Sequence, residues 1–234
     1  MKTPSPAKIR QSSLRTRELL IDAARQLFAR FGVEKTTMND IAEASKRGRR
    51  TIYMYFNSKT DVFYAVVGRE LDLLCQRLEA VAESPGSAPE KLMSLIYTHM
   101  DTILQVVMRN GSLKAHFFND IRRVERVRYK FDLREQDIIA SILEEGNREG
   151  IFFVRDVKMT ANILQHAFKG LEVPYIHRQT HRMGSQEFDA LRRAAEYLVF
   201  RGVGYRGEIR PITPPTMTDD TTNQNQNLDK TTES

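Results

Sequence analysis

Residues 36–56 hold two short helical patterns on either side of a joint of only four residues, and cations gather at that joint. Thr37 can accept the Asp40 amide while the Asp40 carboxylate reaches back to the Thr37 N–H, a Thr-x-x-Asp capping box. Met38, Ile41 and Ala42 then share one face. The second pattern runs from Arg49 to Phe56, where Ile52, Tyr55 and Phe56 recur at spacings of three and four, so that face packs and Arg49, Arg50, Thr51 and Tyr53 stay outside. Only Ser45 to Gly48 lie between the two. Two helices of about two turns joined this tightly form a helix-turn-helix, whose second member enters the major groove of DNA.

The flanks extend the pattern. An amphipathic helix precedes the pair, with Leu20, Ala24, Leu27, Phe28 and Phe31 on one stripe and Gly32 where a left-handed C-terminal cap favours glycine. Ser58 can cap a following helix in which Val62, Val66 and Leu73 begin another stripe. In the order and spacing of Ala23-Ala24-Arg25-Gln26-Leu27-Phe28, Phe31-Gly32, Thr36-Thr37, Asp40-Ile41-Ala42, Thr51-Ile52-Tyr53, Tyr55-Phe56 and Ser58-Lys59, the chain resembles the TetR (tetracycline-repressor-like) family of bacterial transcription regulators, over residues 14–74. That resemblance implies an all-α protein with an N-terminal three-helix helix-turn-helix DNA-binding domain and a C-terminal helical ligand-binding and dimerisation domain. The joint departs from the family's usual Ala-Gly-Val-Ser. Here Ser45-Lys46-Arg47-Gly48 requires Lys46 to turn left-handed without glycine's freedom, and leaves Gly48 to cap through its backbone alone.

Charge is divided by region. Residues 1–60 carry 13 Lys and Arg against 5 Asp and Glu, a net of +8, while the whole chain is +6, leaving −2 for residues 61–234. A basic surface confined to the reading head attracts phosphates and makes binding depend on salt. Arg49 and Arg50, in the first turn of the second helix, suit bidentate contacts to guanine O6 and N7, and Thr51 suits a thymine methyl or a phosphate. By resemblance, Thr37, Tyr53, Tyr55 and Lys59 would hold the phosphate backbone. Lys46 and Arg47 belong near a phosphate, with their direction left open by the joint.

The rest divides into a flexible basic arm over residues 1–11, the DNA-binding domain over 12–60, a helical effector-binding and dimerisation domain over 61–206, and a polar disordered tail over 207–234. Helices are expected from Ser58 to about Glu83, up to the Ser84-Pro85-Gly86-Ser87 loop, and from Pro89 to about Arg109. One more is expected after Asn110-Gly111 and another around Ile138–Leu143 ending at Gly146–Gly150, with Ile151-Phe152-Phe153-Val154 as an apolar connector. Cys75, the single cysteine, sits on an apolar stripe and reads as a packed thiol. No secretory or membrane-spanning run is apparent, so a cytoplasmic protein is expected.

Leu164, Phe168 and Leu171 form one late stripe, and Phe188, Leu191, Ala195 and Leu198 another. Packing within the chain would account for them; the resemblance favours instead a homodimer meeting through a four-helix bundle, and hence an inverted-repeat operator. The resemblance also implies an effector pocket, with Tyr97, Met100, Leu104, Met108, Phe117, Phe118, Ile142 and Phe168 as its apolar lining and His99, His116 and His166 as polar anchors for a small, mostly apolar ligand. His177 and His181 lack further ligands, so no metal or other cofactor is expected. No nucleophile elbow, phosphate loop or paired acids argue for an enzyme. The reading is a ligand-responsive repressor acting on double-stranded DNA. Its alternatives are an architectural protein that coats DNA without sequence preference and a small-molecule sensor that does not act on DNA.

Overall fold

The computed structural model describes residues 6–109, 121–179 and 184–209. Among these residues there are eight helices and no strand: α1 (Pro6–Phe31), α2 (Met38–Ala44), α3 (Arg49–Tyr55), α4 (Lys59–Glu83), α5 (Ala88–Arg109), α6 (Ile121–Arg148), α7 (Val157–Gln179) and α8 (Ser185–Gly202).

The head is built by caps and a small core. Thr37 and Ser58 each form a complete capping box, with Asp40 and Asp61, so α2 and α4 start where their side chains say they should. Leu20, Ala24, Phe28, Ile41, Ala42, Ile52 and Phe56 are buried together, and the start of α4 closes this core with Val62 and Phe63, whose ring meets Phe28 edge-on at 6.4 Å. The boundary expected between residues 60 and 61 therefore falls inside a continuous helix. α4 belongs to both parts: its first turns complete the head, and its later residues, including buried Leu74, Cys75 and Leu78, pack in the body. Burial pushes the Cys75 thiol up to about 12, which makes it a poor nucleophile.

Four expectations change. Residues 6–11, assigned to a flexible arm, are the first turns of α1, because Pro6 suits a helix start and no breaker follows before Gly32. Residues 207–209 do not yet belong to a tail, since Ile209 packs on the core beside Tyr205, which meets Phe152 and Phe200 edge-on. The helix expected around Ile138–Leu143 is α6, which already begins at Ile121, while most of the helix expected after Asn110-Gly111 lies outside the described residues. Phe31 and Leu73 lie on their predicted stripes but are exposed, because each stripe is wider than the neighbour that covers it.

α6 and α7 are joined with little slack. The connector is non-helical as expected, and the ring of buried Phe152 occupies the space a Cβ would need at Gly146. Asn147 clamps the strap from the other side: Val154 N–H donates to its Oδ1 at 2.9 Å, and its Nδ2 donates to the Val154 carbonyl at 2.8 Å.

Candidate nucleic-acid interface and effector cavity

The reading helix begins at Arg49. Gly48 is its N-cap in ordinary extended backbone, with no side-chain hydrogen bond. Lys46 has φ 54°, the one left-handed non-glycine among the described residues, as a joint without glycine at its second position requires. Its N–H donates to the Glu43 carbonyl and the Arg47 N–H to the Ala42 carbonyl, so the turn ends α2 while holding a non-glycine residue in a costly region.

Ile52 anchors α3 in the core, and Tyr55 is half-buried. Lys46, Arg47, Arg49, Arg50 and Tyr53 are exposed, and none of the four cations pairs with a carboxylate among the described residues. Thr51 is half-buried, and the exposed Thr37 hydroxyl accepts the Asp40 amide at 3.2 Å. The Lys59 ammonium donates to the Glu34 carbonyl at 3.0 Å, which fixes it beside α2 and leaves two of its N–H bonds free to point outward. Behind the face, Arg17 stacks on Phe56 at 5.4 Å. Sequence reasoning passed over Met54, which lies on the same outer arc and is 75% exposed.

A second concave site lies in the body, where α5, α7 and α8 leave an apolar cavity of about 50 Å³. Tyr97, Met100 and Phe168, which the sequence assigned to an effector pocket, line it; so do Leu171, Leu191 and Ala195, which had been given to the dimer. Leu104 is half-buried outside the cavity, and Ile142 is fully buried in the helical core. Met108 lies outside the residues whose side chains are described, as does Phe188, and His116, Phe117, Phe118 and His181 lie outside the described residues altogether. His166 is exposed and bonds the Asn162 carbonyl of its own helix. No cluster of metal ligands occurs among the described residues.

Two polar groups that spacing did not reveal border the cavity. Glu196, almost fully buried, accepts from the Tyr97 hydroxyl at 2.7 Å and from Arg192 at 3.0 Å. Burial and the Glu196 carboxylate push the Tyr97 phenol up to about 12, so it stays protonated. Behind the cavity, Phe168 meets His99 at 6.0 Å between ring centres. His99 is not an anchor facing the cavity. It is fully buried between Glu135 on α6 (2.5 Å) and Glu172 on α7 (3.3 Å), and Glu172 also accepts from Arg128 at 2.9 Å. Burial alone would lower the imidazole, but the Glu135 and Glu172 carboxylates outweigh it and hold it up at about 10. Burial would likewise raise Glu172, yet His99 and Arg128 hold it down at about 2. Two cations and two anions thus tie three helices together with no net charge.

Of the residues assigned to a dimer contact, Leu164 and Phe168 are buried in the chain's own core and do not reach the surface, which corrects their assignment; Leu198 is 70% exposed. The outer faces of α7 and α8 carry other apolar groups, Met159 and Ile163 on the first and Tyr197 on the second.

Comparison with known proteins agrees with this geometry. Residues 20–66, from the middle of α1 into α4, match the family model described as bacterial regulatory proteins, tetR family. The chain is 45% identical over 173 residues to an Escherichia coli (strain K12) protein described as "Probable acrEF/envCD operon repressor", covering 70% of this chain and 77% of that one. A transcriptional regulator of the TetR/AcrR family from Thermobifida fusca is 27% identical and superposes with a TM-score of 0.60 over 80% of this chain and 97% of its own. The SmeT–triclosan complex, 19% identical, shares the fold with a TM-score of 0.60 over 86% of this chain and 99% of its own. The chain belongs to the TetR family and is a DNA-binding transcriptional regulator.

Proposed function

We propose that this regulator is a homodimeric repressor that binds an inverted-repeat operator through α3 of each protomer and releases it when a small, mostly apolar effector enters the cavity between α5, α7 and α8. The observation that carries the reading is the outer face of α3 and its joint: Lys46 and Arg47 in the joint and Arg49 and Arg50 on the helix stand exposed, with no carboxylate partner among the described residues, and Ile52 locks the inner face of α3 in the core. Arg49 and Arg50 read guanines, Thr51 contributes a methyl or phosphate contact, and Thr37, Lys46, Arg47, Tyr53, Tyr55 and Lys59 hold phosphates. Repression is supported by the name of the Escherichia coli relative.

The dimer is supported by the outer faces of α7 and α8. Met159, Ile163, Ala167 and Gly170 fall along one exposed stripe, and Ala190, Ala194, Tyr197 and Leu198 along another. Each stripe pairs two large apolar side chains with two small residues, which suits close helix packing across a two-fold axis.

Effector binding is supported by the cavity's apolar lining and by SmeT, a neighbour in fold that binds triclosan. At about 50 Å³ the cavity is far below the roughly 300–1,000 Å³ of a formed ligand pocket. The effector therefore acts by prising α8 from α5 and α7, which stabilises an open state with lower operator affinity.

Selection from a random duplex pool at physiological salt tests the reading, together with sedimentation of the free protein. An enriched inverted repeat bound by two protomers is expected. A monomer at micromolar concentration, or a pool with no enriched sequence, contradicts it.

A further inference from the structure

Met54 is the most exposed of the large hydrophobic side chains among the described residues, 75% accessible on a helix only seven residues long. It adds nothing to the head's core, which takes Ile52 from α3 and Phe56 from its C-cap. The residues beside it on the outer arc are the proposed readers. Met54 is four positions after Arg50, placing them about 40° apart around the helix and about 6 Å apart along it. Arg49 and Tyr53 stand in the same relation one step round. An apolar side chain beside the arginines on the outer face of a reading helix meets one apolar feature in the major groove, the C5-methyl of thymine. Methionine, unbranched and polarisable, suits that small target without demanding one rotamer.

We infer that Met54 is a specificity-determining residue, which selects a thymine by packing against its methyl group. The spacing along α3 puts that thymine within about two base-pair steps of the guanine read by Arg50. The inference rests on the operator-reading role proposed for α3 and adds a base preference that the arginines do not supply.

The test uses the full chain and the duplex it enriches from a random pool. Each thymine of one half-site is replaced in turn by deoxyuridine, which removes the methyl and keeps every hydrogen bond. Affinities of wild type, Met54→Ala and Met54→Leu are measured at fixed salt, with circular dichroism checking that each variant melts as wild type does. For wild type, one deoxyuridine within two base pairs of the guanine protected by Arg50 is expected to weaken binding about fourfold, the value of one buried methyl-sized group. Met54→Ala should bind the thymine duplex about fourfold more weakly and be indifferent to that replacement, and Met54→Leu should keep most of the sensitivity.

Equal tolerance of deoxyuridine at every position by wild type overturns the inference while leaving α3 as the reading helix. So does a sensitivity that persists in Met54→Ala. A pool that enriches no sequence removes the operator-reading role itself, and this inference with it.

Discussion

The head and the body use charge in opposite ways. On the head, Lys46, Arg47, Arg49 and Arg50 are exposed and have no carboxylate partner among the described residues. Inside the body, His99, Glu135 and Glu172 are almost wholly buried, and they and Arg128 neutralise one another. Free cations on a rigid surface can exchange counterions for phosphates, so their energy appears on binding. Buried charges that pair with one another favour a single arrangement of α5, α6 and α7, and their energy appears when a member is lost. Substitutions in the head should therefore alter DNA affinity with little effect on folding, and substitutions in the cluster should do the reverse.

The largest effect is expected from Glu172→Ala, which leaves His99 and Arg128 as neighbouring buried cations. It should destabilise the protein by about 3–5 kcal/mol in urea unfolding, whereas Arg50→Ala should stay within about 0.5 kcal/mol. Comparable losses from both would erase the contrast. Next, Leu198→Glu at the proposed dimer face should leave each head intact but uncouple the two, weakening operator binding on the order of a hundredfold. Sedimentation should then show monomers; a dimer with unchanged affinity would move the interface elsewhere.

The third effect is a pH dependence confined to the body. The folded pKa of His99, about 10, lies above its ordinary value of 6.5. Its stabilising contribution is therefore complete below pH 6.5 and disappears as pH rises through 10. Glu172 acts in the other direction: from an ordinary 4.5 it falls to about 2, so its contribution is present above 4.5 and is lost as pH falls through 2. Thermal unfolding should show a melting temperature that declines from pH 6.5 toward pH 10. A flat profile over that range would mean that His99 is not held as a cation.

The smallest effects sharpen the view of the joint. Lys46→Gly should stabilise the head by about 1 kcal/mol by relieving the left-handed backbone, while removing one cation and slightly reducing the salt dependence of binding. Gly48→Ser, at an N-cap with room for the new side chain, should add a few tenths of a kcal/mol. Thermal melts of the two variants decide both.

The same contrast explains what could be read from the chain. The head was legible because its determinants are local: a capping box at Thr37, an N-cap serine at Ser58, a stripe of period 3.6, and a joint whose residue types forced Lys46 to turn left-handed. The body's helices were legible for the same reason, through the Ser84–Ser87 loop and the apolar Ile151–Val154 connector. Their facing was not. Leu164 and Phe168 look like any other stripe, and only the packing of α5, α7 and α8 shows that they point inward. The acids of the central cluster were hidden for a related reason, since Glu135 and Glu172 are written like solvated helix positions and become buried only because His99 and Arg128 arrive from elsewhere in the chain. Met54 was missed because the outer face is marked in the sequence by polar and charged groups, and an apolar residue carries no such signal.

The account depends most on α3 reading bases. Fluorescence anisotropy across a salt series should compare wild type with the Arg49→Ala/Arg50→Ala double variant, on the selected operator and on a random duplex of equal length. The account predicts that the double variant loses at least about tenfold more affinity on the operator than on random DNA at every salt concentration, so the specificity ratio collapses. Equal losses on the two duplexes would contradict it, and would make Arg49 and Arg50 phosphate clamps on a helix that reads no sequence.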